Sequence, residues 1–303
     1  MPRILITGGT GLLGVNWAFA RKHQDEVILA AHHRQIAIEG VLLQKIDLTS
    51  AVNIFSAIEE IKPDFVVHAA SLTSVEKCEH NLNLAEEVNV DLAFNVAKAC
   101  NASGVKLVHI STDHLFAGDR PFVEERQSLK PLNAYGTTKA RAESLVLGVN
   151  PDSLVVRTNF FGWGPSYRKS FSDFIIEALR NGFEVKLFYD VFYSPILIEV
   201  LIEKIEKLLL VGARGIFNIV GDDRITKYQF GLYLAKEFEL NVGLIKPVSI
   251  HSLNELVVRP LDMSLSNKKI SNIIDCKVGG IECHINKLRV QELTGISSKI
   301  KQL

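Results

Sequence analysis

The chain has 303 residues, 47% of them hydrophobic, and its 34 lysines and arginines balance 34 aspartates and glutamates. This composition is typical of a soluble globular protein and excludes a disordered chain. The neutral charge argues against a partner that is a nucleic acid or an acidic membrane, since either would call for a basic excess. No apolar run approaches the length of a membrane span, so a cytoplasmic location is the default expectation.

The four cysteines are too few for a disulfide scaffold in a chain of this length. Cys276 and Cys283, which precedes His284, are separated by six residues, and this is not a usual zinc spacing. We therefore expect ordinary thiols and no metal site.

The first half of the chain alternates short apolar runs with segments of helical periodicity. The runs predict strands at 3–7, 26–31, 41–46, 65–70, 105–110 and 154–157. The periodic segments predict helices at 12–23, 50–61 and 84–102. Repeated strand–helix–strand units require right-handed crossovers, which predict an α/β fold with a doubly wound parallel sheet of the Rossmann type. In that architecture a ligand binds at the carboxyl ends of the strands.

Beyond about residue 160 this alternation weakens. Helices are predicted at 171–181, 196–211 and 227–240, and a strand at 216–220. We therefore expect a dinucleotide-binding domain over residues 1–160 and a smaller substrate-binding lobe over residues 161–303. Some strands and helices of the lobe are expected to return to the first domain.

A glycine-rich loop, Gly8–Gly14 with the sequence GGTGLLG, joins the first predicted strand to the first predicted helix. Its glycines allow a tight turn and a close approach to a diphosphate, and the helix that follows offers free N–H groups. The alternative is an ordinary tight turn. The predicted cofactor contacts in this loop are Gly8, Thr10, Gly11, Leu12, Leu13 and Gly14.

The end of the second predicted strand carries basic residues in place of an acid. An acidic residue there would hydrogen-bond the ribose hydroxyls of NAD, but the sequence runs from Ala31 through two histidines to Arg34. Arg34 and one histidine, for which we choose His33, can pair with the 2′-phosphate of NADP. The alternative is a solvated basic turn. We predict NADP(H) as the favoured cofactor and NAD(H) as the second choice.

Tyr135 and Lys139 lie four residues apart in a helix whose predicted cap is Asn133, so both fall on one face. The helix follows the strand that ends at Ser111 and Thr112, where the ligand crevice is expected. A lysine beside a tyrosine stabilises the phenolate and lowers the pKa of the phenol, which allows proton exchange with a substrate oxygen. A hydroxyl at the strand end can hold that oxygen.

With these motifs the chain resembles the extended short-chain dehydrogenase/reductase family. The resemblance covers most of the chain and is strongest up to about Phe161. It implies that Thr112, Tyr135 and Lys139 are the catalytic residues, with Tyr135 and Lys139 also beside the cofactor. It further implies four cofactor contacts, at Asp47, Leu48, Ala69 and Ala70. The residues implied to face the sugar are Thr73, Val75, Thr112 and Phe160.

Within that family the matching stretches are most similar to reductases of 4-keto nucleotide sugars. Related dehydratases carry an Asp-Glu pair after the threonine, whereas here Asp113 is followed by His114, which favours simple reduction. Arg259, before Pro260, is a candidate for holding the substrate diphosphate, and an ordinary surface arginine is the alternative.

The expected function is that of an NADPH-dependent reductase of a 4-keto nucleotide-diphospho-sugar, with homodimerisation left open. Two alternatives remain. One is a non-catalytic, NADP-binding regulatory subunit like that of methionine adenosyltransferase, and the other is a nucleotide-sugar epimerase. The intact set of Thr112, Tyr135 and Lys139 favours the reductase over the regulatory subunit.

Overall fold

The computed structural model describes residues 1–252 and 256–303 of the chain. The strands, in chain order, are β1 (Arg3–Thr7), β2 (Glu26–Ala31), β3 (Leu42–Lys45), β4 (Phe65–His68), β5 (Lys106–Ile110), β6 (Leu154–Arg157), β7 (Phe160–Phe161), β8 (Val185–Phe188), β9 (Phe192–Tyr193), β10 (Ile196–Leu197), β11 (Gly215–Asn218), β12 (Ile225–Thr226), β13 (Ile245–Val248) and β14 (Asp262–Met263).

The α-helices, in the same order, are α1 (Leu12–Arg21), α2 (Ala51–Ile61), α3 (Val75–His80), α4 (Leu82–Glu86), α5 (Leu92–Ser103), α6 (Ala134–Val149), α7 (Phe171–Arg180), α8 (Ile198–Leu210), α9 (Lys227–Glu237), α10 (Lys268–Ile273), α11 (Ile281–Leu293) and α12 (Ile296–Lys301). A π-helical segment, Glu87–Asp91, lies between α4 and α5, and two 3₁₀ turns occupy Val242–Leu244 and Ile250–Ser252.

Seven strands form one parallel sheet in the order β11-β6-β5-β4-β1-β2-β3. The chain builds outward from β1 to β3, then crosses back to place β4 on the other side of β1. This reversal opens a crevice at the carboxyl ends of β1 and β4. The doubly wound α/β fold predicted from the sequence is therefore confirmed.

Apolar side chains cover both faces of the sheet because successive residues of a strand point to opposite sides. Ile4 and Ile6 of β1 pack in a cluster with Trp17 of α1. Leu5, between them, joins the opposite cluster with Ile54 of α2. Burial on both faces explains why the central strands read as continuous apolar runs.

The helix predicted at 84–102 is found as α4, the π-helical segment and α5, so it starts earlier and is interrupted. Asn81 caps α4 by accepting a hydrogen bond from the amide of Leu84. The π turn places the side chain of Asn89, which is 1% exposed, inside the protein. Such interruptions depend on contacts distant in sequence, and apolar periodicity does not show them.

Residues beyond 160 contribute both to the large sheet and to small sheets of their own. β11 pairs in parallel with β6, while β12, β9 and β14 form a three-stranded sheet, and β10 pairs with β7 and β13 with β8. The helix predicted at 196–211 begins at Ile198, because Ile196 and Leu197 pair with β7. The assignment of residues 161–303 to a substrate-binding lobe stays a prediction.

Within residues 1–252 and 256–303, no helix combines the length and the apolar character needed to cross a bilayer. The same residues hold no group of three or more histidine, cysteine or acidic side chains arranged to bind a metal ion.

Candidate active site

A cavity of about 710 Å³ lies at the carboxyl ends of the central strands. It is lined by the loops that follow β1, β2, β4 and β5, by the start of α6 and by residues around β7. Most residues predicted for the site line this one cavity. They are Gly8, Thr10, Gly11, Leu12, Leu13, Arg34, Ala69, Ala70, Thr73, Val75, Thr112, Tyr135, Lys139 and Phe160.

The glycine loop turns tightly between β1 and α1. Gly8 has a φ of +67°, and a Cβ there would lie 2.7 Å from the backbone nitrogen of Ala70. Gly14 does not line the cavity. A Cβ on Gly14 would lie 2.4 Å from the carbonyl oxygen of Gly9, so its lack of a side chain lets α1 approach the loop.

The N-terminus of α1 faces the cavity without a side-chain cap. Gly11 occupies the N-cap position and forms no capping bond through a side chain, and Leu12 and Leu13 of the first turn line the cavity. Free amide groups and the positive end of the helix dipole therefore meet at this wall. This set of donors fits the diphosphate of a dinucleotide.

The basic residues after β2 differ in whether they line the cavity. Arg34 and His32 line the cavity, whereas His33, chosen from the sequence, does not. The guanidinium carbon of Arg34 lies 3.8 Å from the ring centroid of Tyr167. The structure therefore brings His32, and not His33, to the cavity together with Arg34.

Asp47 and Leu48 lie outside the cavity lining. The Asp47 carboxylate accepts bonds from the amide and hydroxyl of Thr49, at 2.9 and 2.7 Å, and from the side-chain amide of Asn53 at 3.3 Å. The bonds from Thr49 chiefly hold the pKa of Asp47 below its ordinary value. In the structure these groups organise the start of α2, and their contact with adenine stays a prediction.

Tyr135 lies in the first turn of α6, where Asn133 accepts a hydrogen bond from the amide of Gly136 at 2.9 Å. Lys139 follows one turn later, and its ammonium donates to the carbonyl oxygen of Ile110 at 2.7 Å. Thr112 lies just past the end of β5, and its hydroxyl oxygen accepts a weak bond from the amide of His114 at 3.3 Å. The structure thus brings the three predicted catalytic residues to one place.

Burial dominates the acid–base properties of this group. It raises the pKa of Tyr135 to about 12, against a smaller lowering by a hydrogen bond with Thr112. It also lowers the pKa of Lys139 to about 8, against the opposing charge of Glu143. Desolvation is the largest influence on the pKa of Tyr135, and Lys139 is not among the leading ones, so the expectation that Lys139 lowers this pKa is not met. Tyr135 keeps its proton at neutral pH.

A buried ion pair supports α6 on the side away from the cavity. Glu143 of α6 accepts bonds from Arg157 of β6, with 2.7 Å between Nη2 and Oε2 and 3.0 Å between Nε and Oε1. It also accepts a 2.6 Å bond from the hydroxyl of Ser111 at the end of β5. These bonds tie α6 to two strands of the sheet, so that Lys139 and Tyr135 are held against the strand ends.

Asn89, placed inside by the π turn, holds a second wall of the cavity. Its carbonyl oxygen accepts bonds from the hydroxyl of Ser71 and the amide of Leu72, both at 2.8 Å. Its amide nitrogen donates to the hydroxyl of Thr138 on α6 at 3.1 Å. The loop after β4 is therefore fixed relative to α6.

The sequence did not indicate a loop of residues 164–170, which we call the strap. Both of its ends bind the carboxylate of Asp173, through the amides of Gly164 at 2.6 Å and Ser170 at 3.0 Å. At its tip Tyr167 donates to the carbonyl oxygen of Thr10 at 2.9 Å, and Arg168 donates to the hydroxyl of Thr73 at 2.8 Å. In the sequence, the strap could have been suspected only from an aromatic and a basic residue, Tyr167 and Arg168, in a segment that contains glycine and proline.

Arg259, predicted to hold the substrate diphosphate, does not line the cavity. Its guanidinium forms an ion pair with Glu76 in the first turn of α3. The structure therefore leaves this arginine beside the cavity wall, with its charge already paired.

A tyrosine and a lysine one helical turn apart, at the carboxyl ends of the central strands of a doubly wound sheet, are the arrangement of the extended short-chain dehydrogenases/reductases. More particularly, the chain belongs to the RmlD substrate binding domain family, whose model matches residues 2–289.

Individual proteins share this similarity over nearly their whole length. The dTDP-4-dehydrorhamnose reductase of Aggregatibacter actinomycetemcomitans is 28% identical, over 89% of this chain and 92% of that protein. The crystal structure of a hypothetical dTDP-4-dehydrorhamnose reductase from Sulfolobus tokodaii is 30% identical, with a TM-score of 0.80 over 91% of this chain and 96% of its own. The Bacillus anthracis dTDP-4-dehydrorhamnose reductase, solved in complex with NADP, is 24% identical and shares the fold, with a TM-score of 0.82 over 96% of this chain and 99% of its own.

Proposed function

We propose that this protein is an NADPH-dependent reductase of a 4-keto nucleotide-diphospho-sugar. The observation that carries the proposal is that Thr112, Tyr135 and Lys139 line the same cavity as the uncapped N-terminus of α1. A dinucleotide and a second ligand can therefore meet beside a proton donor. The names of the relatives support the substrate class.

The proposed preference for NADP(H) over NAD(H) rests on the residues that follow β2. Arg34 and His32 face the cavity where an acid would select NAD. A guanidinium pairs well with a phosphate through two N–H donors. NADP(H) is therefore the proposed cofactor, with NAD(H) as the weaker one.

In the proposed reaction NADPH supplies a hydride to the keto carbon of the sugar. Tyr135 donates its phenolic proton to the carbonyl oxygen, which becomes a hydroxyl, and Thr112 orients that oxygen by hydrogen bonding. The ammonium of Lys139 stabilises the phenolate left on Tyr135 until a proton from solvent replaces the one transferred. A tyrosine that is protonated at neutral pH suits this direction.

The two alternatives are less well supported. A regulatory subunit has no need of a complete proton-transfer group lining the cavity. An epimerase that returns the hydride can use the same tyrosine, so net oxidation of NADPH is what separates it from a reductase. A dehydratase needs further acid–base groups at the sugar. The nearby carboxylate of Asp113 is engaged, accepting a 2.6 Å bond from the side-chain amide of Asn159.

The test is NADPH oxidation with a panel of 4-keto nucleotide sugars, beginning with dTDP-4-dehydrorhamnose, and with the product stereochemistry determined. We expect one equivalent of NADPH to be oxidised for each ketone reduced. Tyr135→Phe should lower turnover by about 10²- to 10⁴-fold, since it removes the general acid, while NADPH binding persists. Sugar turnover without net NADPH oxidation would instead identify an epimerase, and no turnover of any sugar would favour the regulatory subunit.

A further inference from the structure

Arg168 is a cation that the strap carries across the mouth of the cavity. Its side chain is exposed and lines the cavity, and its Nη2 donates to the hydroxyl of Thr73 at 2.8 Å. Its backbone amide donates to the carbonyl oxygen of Pro165 at 2.9 Å, which closes the turn at the tip of the strap. The guanidinium is therefore held by a turn and by a hydroxyl on the opposite wall.

Two nearby cations, Lys169 and Arg259, have carboxylate partners, whereas the hydrogen-bond partner of Arg168 is uncharged. Lys169, next in sequence, pairs with Glu177 at 2.8 Å. Arg259, on the far side of the cavity wall, pairs with Glu76. A guanidinium has five N–H donors, and the bond to Thr73 uses one of them. Arg168 can therefore bind an anion without first breaking an ion pair.

The position of Arg168 favours the substrate side of the cavity. Tyr167, one residue earlier, is the residue that contacts the glycine loop, through the carbonyl oxygen of Thr10. Arg168 turns the other way, toward Thr73 in the loop after β4. Burial raises the pKa of Tyr135, and the charge of Arg168 is among the smaller influences that lower it. The charge of Arg168 also opposes the rise that burial causes in the pKa of Tyr167, so the assignment of Arg168 to the substrate side rests on the contact with Thr73.

We propose that Arg168 binds the diphosphate of the nucleotide sugar, and that Thr73 positions its guanidinium for that contact. The proposal rests on the proposed substrate class, and it moves the diphosphate contact from Arg259 to the strap. Arginine suits the task because its planar fork can bind two phosphate oxygens at once.

The test is binding of dTDP and UDP to the NADPH-loaded protein, measured by calorimetry. We expect Arg168→Gln to weaken nucleoside diphosphate binding by about 10- to 100-fold, the effect of losing charge-assisted bonds. Arg168→Lys should retain part of the affinity, because the charge remains. Thr73→Val should weaken binding by a smaller factor. Lys169→Gln is the matched control, since it removes the adjacent charge on the strap, and it should leave the affinity unchanged.

Three results would overturn the proposal. One is that Arg168→Gln binds each of the two nucleotides, dTDP and UDP, as tightly as the wild type does, or that neither protein binds either nucleotide. Another is an equal loss in Lys169→Gln, which would indicate a general charge effect. The third is a loss of NADPH affinity in Arg168→Gln without any added diphosphate, which would assign the arginine to the cofactor. The reductase function is judged separately, by ketone-dependent NADPH oxidation, so that failure of either idea leaves the other intact.

Discussion

The proposed cofactor side and the proposed substrate side of the cavity are built in different ways. On the cofactor side, the part that fits a diphosphate is one continuous segment, in which β1, the glycine loop and α1 follow one another without interruption. The substrate side is assembled from separate segments, with Thr73 after β4, Phe160 in β7 and Arg168 on the strap. A contiguous site is specified by local backbone requirements, whereas an assembled site depends on how distant segments pack. The two sides should therefore respond differently to substitution.

The largest effect is expected in the glycine loop. Gly8→Ala adds a Cβ at a positive φ and 2.7 Å from the backbone of Ala70, so the loop must move. We expect the free energy of unfolding to fall by about 2 kcal/mol or more, together with loss of NADPH binding. Gly148→Ala is the control, because its Cβ would have no neighbour within 4 Å. Denaturant unfolding of both variants checks this, and equal stabilities would contradict it.

The next effect concerns cofactor choice at the end of β2. Arg34→Gln should raise the KM for NADPH by roughly 10- to 100-fold and leave the KM for NADH nearly unchanged, because one charge-assisted phosphate contact is lost. His33→Gln is the matched control, since His33 is exposed and does not line the cavity. An equal loss with both cofactors would show that Arg34 acts through its stacking on Tyr167.

The pH dependence of reduction tests the role of Lys139. Burial lowers its pKa to about 8, so the side chain is a cation below that pH and neutral above it. Because only the cation stabilises the phenolate of Tyr135, kcat should decline above about pH 8, by roughly tenfold per pH unit. Lys139→Arg should move the decline above about pH 10, since arginine stays charged. If kcat of Lys139→Arg still declined near pH 8, the decline would have to be assigned to a group other than Lys139.

The smallest effect is expected at Arg259. Its partly exposed ion pair with Glu76 should contribute less than about 1 kcal/mol. Because Arg259 also does not line the cavity, Arg259→Gln should change the KM for the nucleotide sugar by less than about threefold. A rise as large as that expected for Arg168→Gln would show that Arg259 leaves Glu76 and enters the cavity during turnover.

The sequence predicted the cofactor side well because backbone geometry there restricts the residue types. Gly8 and Gly14 stand where a side chain would collide with backbone atoms. Glycines at this spacing, between a strand and a helix, therefore indicate a specific backbone turn. Tyr135 and Lys139 were found for a related reason, since their spacing alone puts them on one face of α6.

The substrate side was predicted less completely. Arg259 was chosen because Arg259 and Pro260 match an arginine-proline segment of the resembled family, and nothing in its neighbourhood in sequence reveals that Glu76 pairs with it. Arg168 was missed because its direction depends on Asp173 holding both ends of the strap. His33 was chosen from the sequence, but His32 lines the cavity. The residues after β2 belong to no helix or strand, so no periodicity predicts which of their side chains reaches the cavity.

By itself, the sequence determined the doubly wound sheet, the tight turn of the glycine loop and the tyrosine–lysine face, because each follows from short-range sterics or from the period of a helix or strand. Only the tertiary structure decided which cations keep a charged partner and how burial shifts the proton affinities of Tyr135 and Lys139. Desolvation and ion pairing depend on which atoms lie within a few ångströms. Folding sets that proximity between residues far apart in the chain, such as Arg168 and Thr73.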